Sequence, residues 1–194
     1  GIDALTHAVE SYLGRSSTKK TKDYALKAMA LIKGNLYAFY QDAKNEKARA
    51  NMQKAAYLAG VSFTRAYVGY VHALAHALGG YYNVPHGFAN AVLLPHVLRA
   101  YGKAAYKRLA EISDYLELAS PSLTPGEKAN AVITWIEDLN AKMAIPKTFN
   151  HVIKPEDIKA LSHHAAKEAN PLYPVPKEMS AQELAKIYQE VDPQ

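Results

Sequence analysis

The sequence contains no cysteine, and this absence removes several classes of protein from consideration. Disulfide scaffolds, thiolate-bound zinc modules and cysteine nucleophiles all require the missing side chain. The 194 residues also lack a run of apolar residues long enough, about 18, to predict a membrane-spanning helix. No leader of basic and then apolar residues opens the sequence. We therefore expect a soluble cytoplasmic protein without a disulfide framework.

The charge of the chain is only weakly basic. The formal charge of +5 arises from 23 basic and 18 acidic residues, which are interspersed along most of the sequence. A nucleic-acid surface usually presents a basic stripe with exposed aromatic side chains. Most of the 14 tyrosines instead occur at helical spacing among alanine, leucine and isoleucine, a pattern that indicates packing. We expect neither a nucleic-acid partner nor a membrane partner.

The sequence pattern predicts an all-α protein of about eight or nine helices joined by short connectors. Alanine is abundant, and the alternation typical of strands is scarce. Ser180 and Glu183 form a capping box, and Thr124 followed by Pro125 opens another helix. The predicted helices cover about 1–13, 21–41, 45–64, 68–78, 89–101, 104–118, 125–143, 155–168 and 181–191. No repeat or long linker divides the chain, so residues 1–194 are predicted to form one helical domain.

Acidic and histidine side chains recur at a spacing of four residues in two of these helices. Asp3 and His7 share one face of the first helix, and His72 and His76 share one face of the fourth. His86 follows in a turn that contains proline and glycine. Carboxylate and imidazole groups suit a divalent first-row metal when no thiolate is available. The spacing alone leaves two interpretations open, a metal site and a set of hydrogen-bonded core histidines.

Motifs of other enzyme classes are missing from the sequence. A zinc protease of the H-E-x-x-H type needs a glutamate after the first histidine, where this chain has Ala73. The serine-hydrolase motif G-x-S-x-G and the glycine-rich loops that bind nucleotide phosphates are also absent. Gly79 and Gly80 are predicted to end the fourth helix. No residue of this chain is therefore predicted to bind a dinucleotide.

Five segments resemble signature segments of the iron-containing (group III) alcohol dehydrogenases. They keep the order that they have in the family, and together they extend over the whole chain. The segments are 1–12 (GIDALTHAVESY), 69–76 (GYVHALAH), 83–91 (NVPHGFANA), 93–97 (LLPHV) and 168–176 (EANPLYPVP).

This resemblance implies a fold and a set of site residues. Family members join an N-terminal α/β domain that binds NAD(P) to a C-terminal all-helical domain that holds the metal, a fold also found in dehydroquinate synthase. This chain is expected to be the helical half, without the nucleotide-binding domain. Asp3, His7, His72 and His86 stand at the positions of the metal ligands. His76 stands where a further histidine serves in proton transfer or places the cofactor and substrate.

The resemblance also implies an activity. The metal, usually Fe²⁺ and in some relatives Zn²⁺, polarises the oxygen of an alcohol or aldehyde during hydride transfer with NAD(P). We therefore expect the catalytic metal domain of an alcohol dehydrogenase, often dimeric or larger, which binds one ion but does not turn over in isolation. The alternatives are a helical metal-binding or interaction module without redox activity, and a metal hydrolase on the same fold, because the fold alone does not fix the chemistry. Arg65 and Tyr67 depart from many relatives, and either narrow the substrate pocket or pack elsewhere.

Overall fold

The computed structural model describes residues 1–193 and contains, in that range, nine α-helices, one short 3-10 helix and no β-strand. The α-helices are α1 (Ile2–Leu13), α2 (Lys19–Gln41), α3 (Glu46–Ala66), α4 (Tyr70–Tyr82), α5 (His86–Tyr101), α6 (Lys103–Tyr115), α7 (Pro125–Lys142), α8 (Ile158–Ala169) and α9 (Ala181–Val191). The 3-10 helix, Pro155–Asp157, leads directly into α8. The predicted all-α class and the predicted number of helices are confirmed.

Capping boxes begin α7 and α9, as the sequence predicts. The Thr124 hydroxyl accepts a hydrogen bond from the Glu127 amide at 3.3 Å, and the Glu127 carboxylate accepts one from the Thr124 amide at 2.8 Å. Ser180 and Glu183 make the same reciprocal pair at 3.2 and 2.9 Å. Each pair satisfies amides that a helix start otherwise leaves without partners.

The boundary between α4 and α5 differs from the predicted one. The prediction that Gly79 and Gly80 end α4 is wrong, because the helix continues through both to Tyr82. It ends at Asn83, whose φ of 54° lies in the left-handed region that asparagine tolerates better than most residues. Helix α5 then begins at His86, three residues before the predicted start. His86 consequently stands in the first turn of a helix rather than in a loop.

Helix α1 is the central element of the domain. It packs against α2, α3, α5 and α6, and ten of its 12 residues are buried. The two residues that are not buried are Asp3 and His7. The first helix therefore presents to the surface only the pair of side chains that the sequence singles out.

The other helices pack mainly in pairs around α1. The closest pairs are α2 with α3 and α6 with α7, while α4 packs against both α5 and α8, and α8 packs against α9. This arrangement brings the N-terminal turns of α1, α4 and α5 together. No helix within residues 1–193 is both long and apolar enough to span a bilayer.

The C-terminal end of α1 is closed by Arg108 of α6. Its Nη1 atom lies 2.9, 3.0 and 2.5 Å from the carbonyl oxygens of Tyr12, Leu13 and Gly14. The same nitrogen lies 2.6 Å from the Ser17 hydroxyl in the loop that follows. The last carbonyls of a helix lack intrahelical donors. The guanidinium donates hydrogen bonds to them, and its positive charge is favourable at this end of the helix.

Candidate metal centre

Three predicted ligands from three different helices converge at one point. Asp3 lies in the first turn of α1, His72 in the first turn of α4, and His86 is the first residue of α5. The Asp3 Oδ1 atom is 3.2 Å from His86 Nε2 and 3.6 Å from His72 Nε2. One potential ligand atom from each side chain lies within 4.8 Å of the other two.

His7 lies beside this group. Its Nδ1 is 3.5 Å from Asp3 Oδ2, and its ring centroid is 4.2 Å from that of His72. Phe63 stacks on the imidazole of His7, with ring centroids 4.1 Å apart and planes 18° from parallel. Among residues 1–193, the tight group of potential ligand atoms comprises Asp3, His72 and His86, and His7 adjoins it.

The side-chain amide of Asn90 lies where the three ligand atoms meet. Its Nδ2 donates to Asp3 Oδ1 at 2.7 Å and lies 3.1 Å from His86 Nε2 and 3.4 Å from His72 Nε2. Its Oδ1 is buried without a hydrogen-bond partner in the described part of the chain. One carboxylate oxygen and two imidazole nitrogens thus converge on the amide nitrogen of Asn90. Such a set of oxygen and nitrogen donors fits a divalent first-row metal.

A buried carboxylate orients His72. The Glu10 side chain is 2% exposed, and its Oε2 lies 2.6 Å from His72 Nδ1. The same carboxylate accepts hydrogen bonds from the backbone amides of Gly69 at 2.9 Å and Val71 at 2.8 Å. Because Nδ1 is engaged by Glu10, Nε2 is the nitrogen that faces Asp3 and the rest of the group, as a metal-ligating histidine requires.

The sequence reasoning missed Glu10 as a site residue. A signal for it was present, because Glu10 follows Asp3 by seven residues and His7 by three, and therefore lies on the same side of α1. Asn90 was missed as well, although it follows His86 by four residues in α5. Both side chains lie within hydrogen-bond distance of candidate ligands, Glu10 of His72 and Asn90 of Asp3.

The charges of the group shift the pKa values of its members. Burial alone would raise the pKa of Asp3, but hydrogen bonding to His72 and the positive charge that His7 carries at acidic pH hold it well below its usual value. Burial, and then repulsion from His72, lower the pKa of His7 to about 4. Burial also opposes the charged form of His72, but hydrogen bonds to Asp3 and Glu10 raise its pKa to about 9. At neutral pH Asp3 is thus a carboxylate and His7 is a neutral imidazole.

His76 lies next to the candidate ligands and is partly exposed to solvent. Its ring is stacked on His86, with centroids 5.3 Å apart and planes 17° from parallel, and meets the His72 ring edge-on at 5.9 Å. The side chain is 46% exposed, and its Nδ1 is 2.7 Å from Glu168 Oε1. The His76 ring therefore lies directly beside two of the candidate ligands.

The two residues that depart from the family pattern lie near the end of α3. Arg65 and Tyr67 are both exposed, and Tyr67 has a φ of 65° at the C-cap of the helix. Neither side chain packs into the core.

This fold and donor set define a helical domain with a candidate site for a divalent metal. Residues 1–191 match a family model described as "Fe-containing alcohol dehydrogenase family, C-terminal". The chain belongs to the iron-containing alcohol dehydrogenase family, and the family predicted from the sequence is confirmed.

Curated relatives and solved structures agree with this assignment. The chain is 45% identical over 172 residues to alcohol dehydrogenase 4 of Saccharomyces cerevisiae (strain YJM789), covering 87% of this chain and 44% of that protein. It is 38% identical over 191 residues to 1,3-propanediol dehydrogenase of Citrobacter freundii, covering 98% of this chain and 49% of that protein. A crystal structure of 1,3-propanediol oxidoreductase matches it with a TM-score of 0.93 at 37% identity, covering 98% of this chain and 50% of that one. The chain thus spans about half the length of these relatives.

Proposed function

We propose that this chain is the metal-binding domain of an NAD(P)-dependent alcohol dehydrogenase. The observation that carries the proposal is the convergence of Asp3, His72 and His86 from three helices in a member of this family. The names of two relatives, an alcohol dehydrogenase and a 1,3-propanediol dehydrogenase, support a small alcohol and its aldehyde as the substrate pair. The same relatives do not favour the alternative of an interaction module without redox activity.

The proposed ligands are Asp3, His7, His72 and His86, with Fe²⁺ as the resident ion. The family description supports iron, and the oxygen and nitrogen donor set also accepts Zn²⁺. When bound, the ion supplies a Lewis acid for the alcohol or carbonyl oxygen. Glu10 and Asn90 hold the ligand side chains, and His76 handles the hydroxyl proton or places the substrate beside the group.

The proposed organisation is one helical domain, residues 1–194, that works together with a separate α/β domain binding NAD(P). Support comes from the relatives, because this chain matches only 44% to 50% of their lengths. The dinucleotide is then bound mainly by residues outside this chain. Cytoplasmic location and a homo-oligomeric state stay predictions.

Metal content tests the proposed ligands. The purified chain, loaded with Fe²⁺ without oxygen or with Zn²⁺, is expected to retain one ion per chain after gel filtration, measured by mass spectrometry of the metal. The double variant His72→Ala, His86→Ala is expected to retain almost none, because two of the converging ligands are lost. The matched control is His163→Ala, His164→Ala, two exposed histidines of α8. Equal metal content in the site variant and the wild type would refute the site.

Turnover tests the proposed division of labour between domains. The metal-loaded chain is expected to produce no NADH or NADPH from ethanol or 1,3-propanediol, because it contains no glycine-rich loop to hold a dinucleotide. The measurement is the absorbance of the reduced cofactor, with a full-length 1,3-propanediol dehydrogenase as the positive control. Sustained turnover by the 194-residue chain alone would show that the cofactor site lies within it.

A further inference from the structure

A carboxylate from α8 holds the ring of His76. Glu168 Oε1 lies 2.7 Å from His76 Nδ1, and the Tyr173 hydroxyl donates to the same oxygen at 2.7 Å. Glu168 lies 92 residues from His76 in the sequence, and the packing of α4 against α8 brings the two together. The Glu168 side chain is 33% exposed, so the contact lies at the rim of the domain rather than in its core.

The contact selects one form of the imidazole. A carboxylate can only accept hydrogen bonds, so the nitrogen facing Glu168 must carry a hydrogen. In the neutral ring the proton then lies on Nδ1, and Nε2 keeps its lone pair. Among residues 1–193 the ring makes no second hydrogen bond, so Nε2 is available to a ligand. A neutral histidine in water prefers the opposite form, with its proton on Nε2, so Glu168 works against the intrinsic preference.

The position of the ring gives this form a use. The His76 ring lies against His86, and His76 also lines an open pocket of about 600 Å³. Tyr81, His164 and Glu168 line the same pocket. The ring therefore adjoins both a candidate ligand and an open pocket large enough for a small molecule.

We propose that Glu168 is a positioning residue for His76, with Tyr173 fixing the carboxylate in turn. Glu168 keeps the proton of the neutral ring on Nδ1 and so presents the lone pair of Nε2 to the hydroxyl of a substrate at the candidate metal centre. The use of the ring rests on the proposed function, whereas its orientation rests on the hydrogen bonds of Glu168 alone.

The test is the position of the proton on the His76 ring. Long-range ¹H–¹⁵N correlation spectra of the ¹⁵N-labelled, metal-free chain distinguish protonated from unprotonated ring nitrogens, and His76→Asn assigns the signals. At a pH where the ring is neutral, the wild type is expected to carry the proton mainly on Nδ1. In Glu168→Leu the main form is expected to become Nε2–H, with the ratio of the two forms changing by about tenfold or more, as for loss of a charge-assisted hydrogen bond.

Lys167→Leu is the matched control, because Lys167 is the exposed neighbour on α8 and makes no hydrogen bond to the ring in the described part of the chain. It is expected to leave the signals of His76 as in the wild type. A wild-type ring protonated mainly on Nε2 overturns the proposal, even if Glu168→Leu fails to fold. An unchanged ratio in folded Glu168→Leu overturns it as well. A Zn²⁺ titration of the wild type tests the proposed function separately, because failure to bind metal leaves the proton position unaffected.

Discussion

The variant Glu10→Ala is expected to lose about 3–5 kcal/mol of unfolding free energy, the range found when one partner of a buried charged pair is removed. The reason is that three donors, His72 Nδ1 and the amides of Gly69 and Val71, would remain buried without their acceptor. Urea unfolding of the metal-free chain, followed by circular dichroism, measures the change. If the Glu10→Ala variant still folds, its metal affinity is expected to fall by about 10- to 100-fold, because the orientation of His72 is lost.

Glu46→Ala is a suitable control for this prediction. Glu46 is an exposed acidic residue in the first turn of α3, where its loss is expected to cost less than about 1 kcal/mol. Glu10→Gln keeps one acceptor oxygen, so its loss of unfolding free energy is expected to lie between those of Glu10→Ala and Glu46→Ala. An unfolding midpoint of Glu10→Ala equal to that of the wild type would mean that the carboxylate does not hold α1 and α4 together.

The variant Arg108→Ala is expected to lose about 2–3 kcal/mol of unfolding free energy, the upper part of the range for hydrogen bonds to a charged group. The guanidinium lies against three carbonyls at the end of α1 and the hydroxyl of Ser17, and alanine replaces none of these contacts. Because the side chain is only part-buried, water compensates for some of the loss. Chemical unfolding of the metal-free chain measures this change.

Two further variants separate the capping role of Arg108 from a general effect of charge. Arg15→Ala removes an exposed arginine that, within residues 1–193, makes one ion pair, at 3.3 Å to Glu178 on the surface. This variant is expected to lose less than about 1 kcal/mol of unfolding free energy. Arg108→Lys keeps the charge but not the planar fork and is expected to be intermediate. Equal losses in Arg108→Ala and Arg15→Ala would contradict the capping role.

The helices could be predicted from the sequence because their signals are local. Capping boxes and apolar periodicity depend on residues a few positions apart, and both place α7 and α9 correctly. The end of α4 was mispredicted because two glycines weaken a helix by only about 1 kcal/mol each, which packing can outweigh. Gly79 and Gly80 therefore lie inside the helix, and Asn83 ends it.

The site could be predicted only in part. The spacing of four residues places Asp3 with His7 and His72 with His76, but nothing local indicates that the two pairs meet or that His86 joins them. That arrangement came from the resemblance to a family, and the structure adds the distances. Glu10 could have been predicted from helical periodicity, because it follows Asp3 by seven residues and His7 by three. Glu168 did not, because its contact depends on how two distant helices pack.

The burial of α1 has a consequence for how a metal ion would enter the proposed site. Asp3 and His7 project from a helix whose other ten residues are buried, so the backbone of neither residue can move without repacking of the domain. The helix therefore holds these two proposed ligands in place before any ion arrives, unlike a zinc finger, whose chain folds around its metal. Loading and removal of the ion are expected to leave the helical content unchanged, which makes metal exchange without refolding feasible.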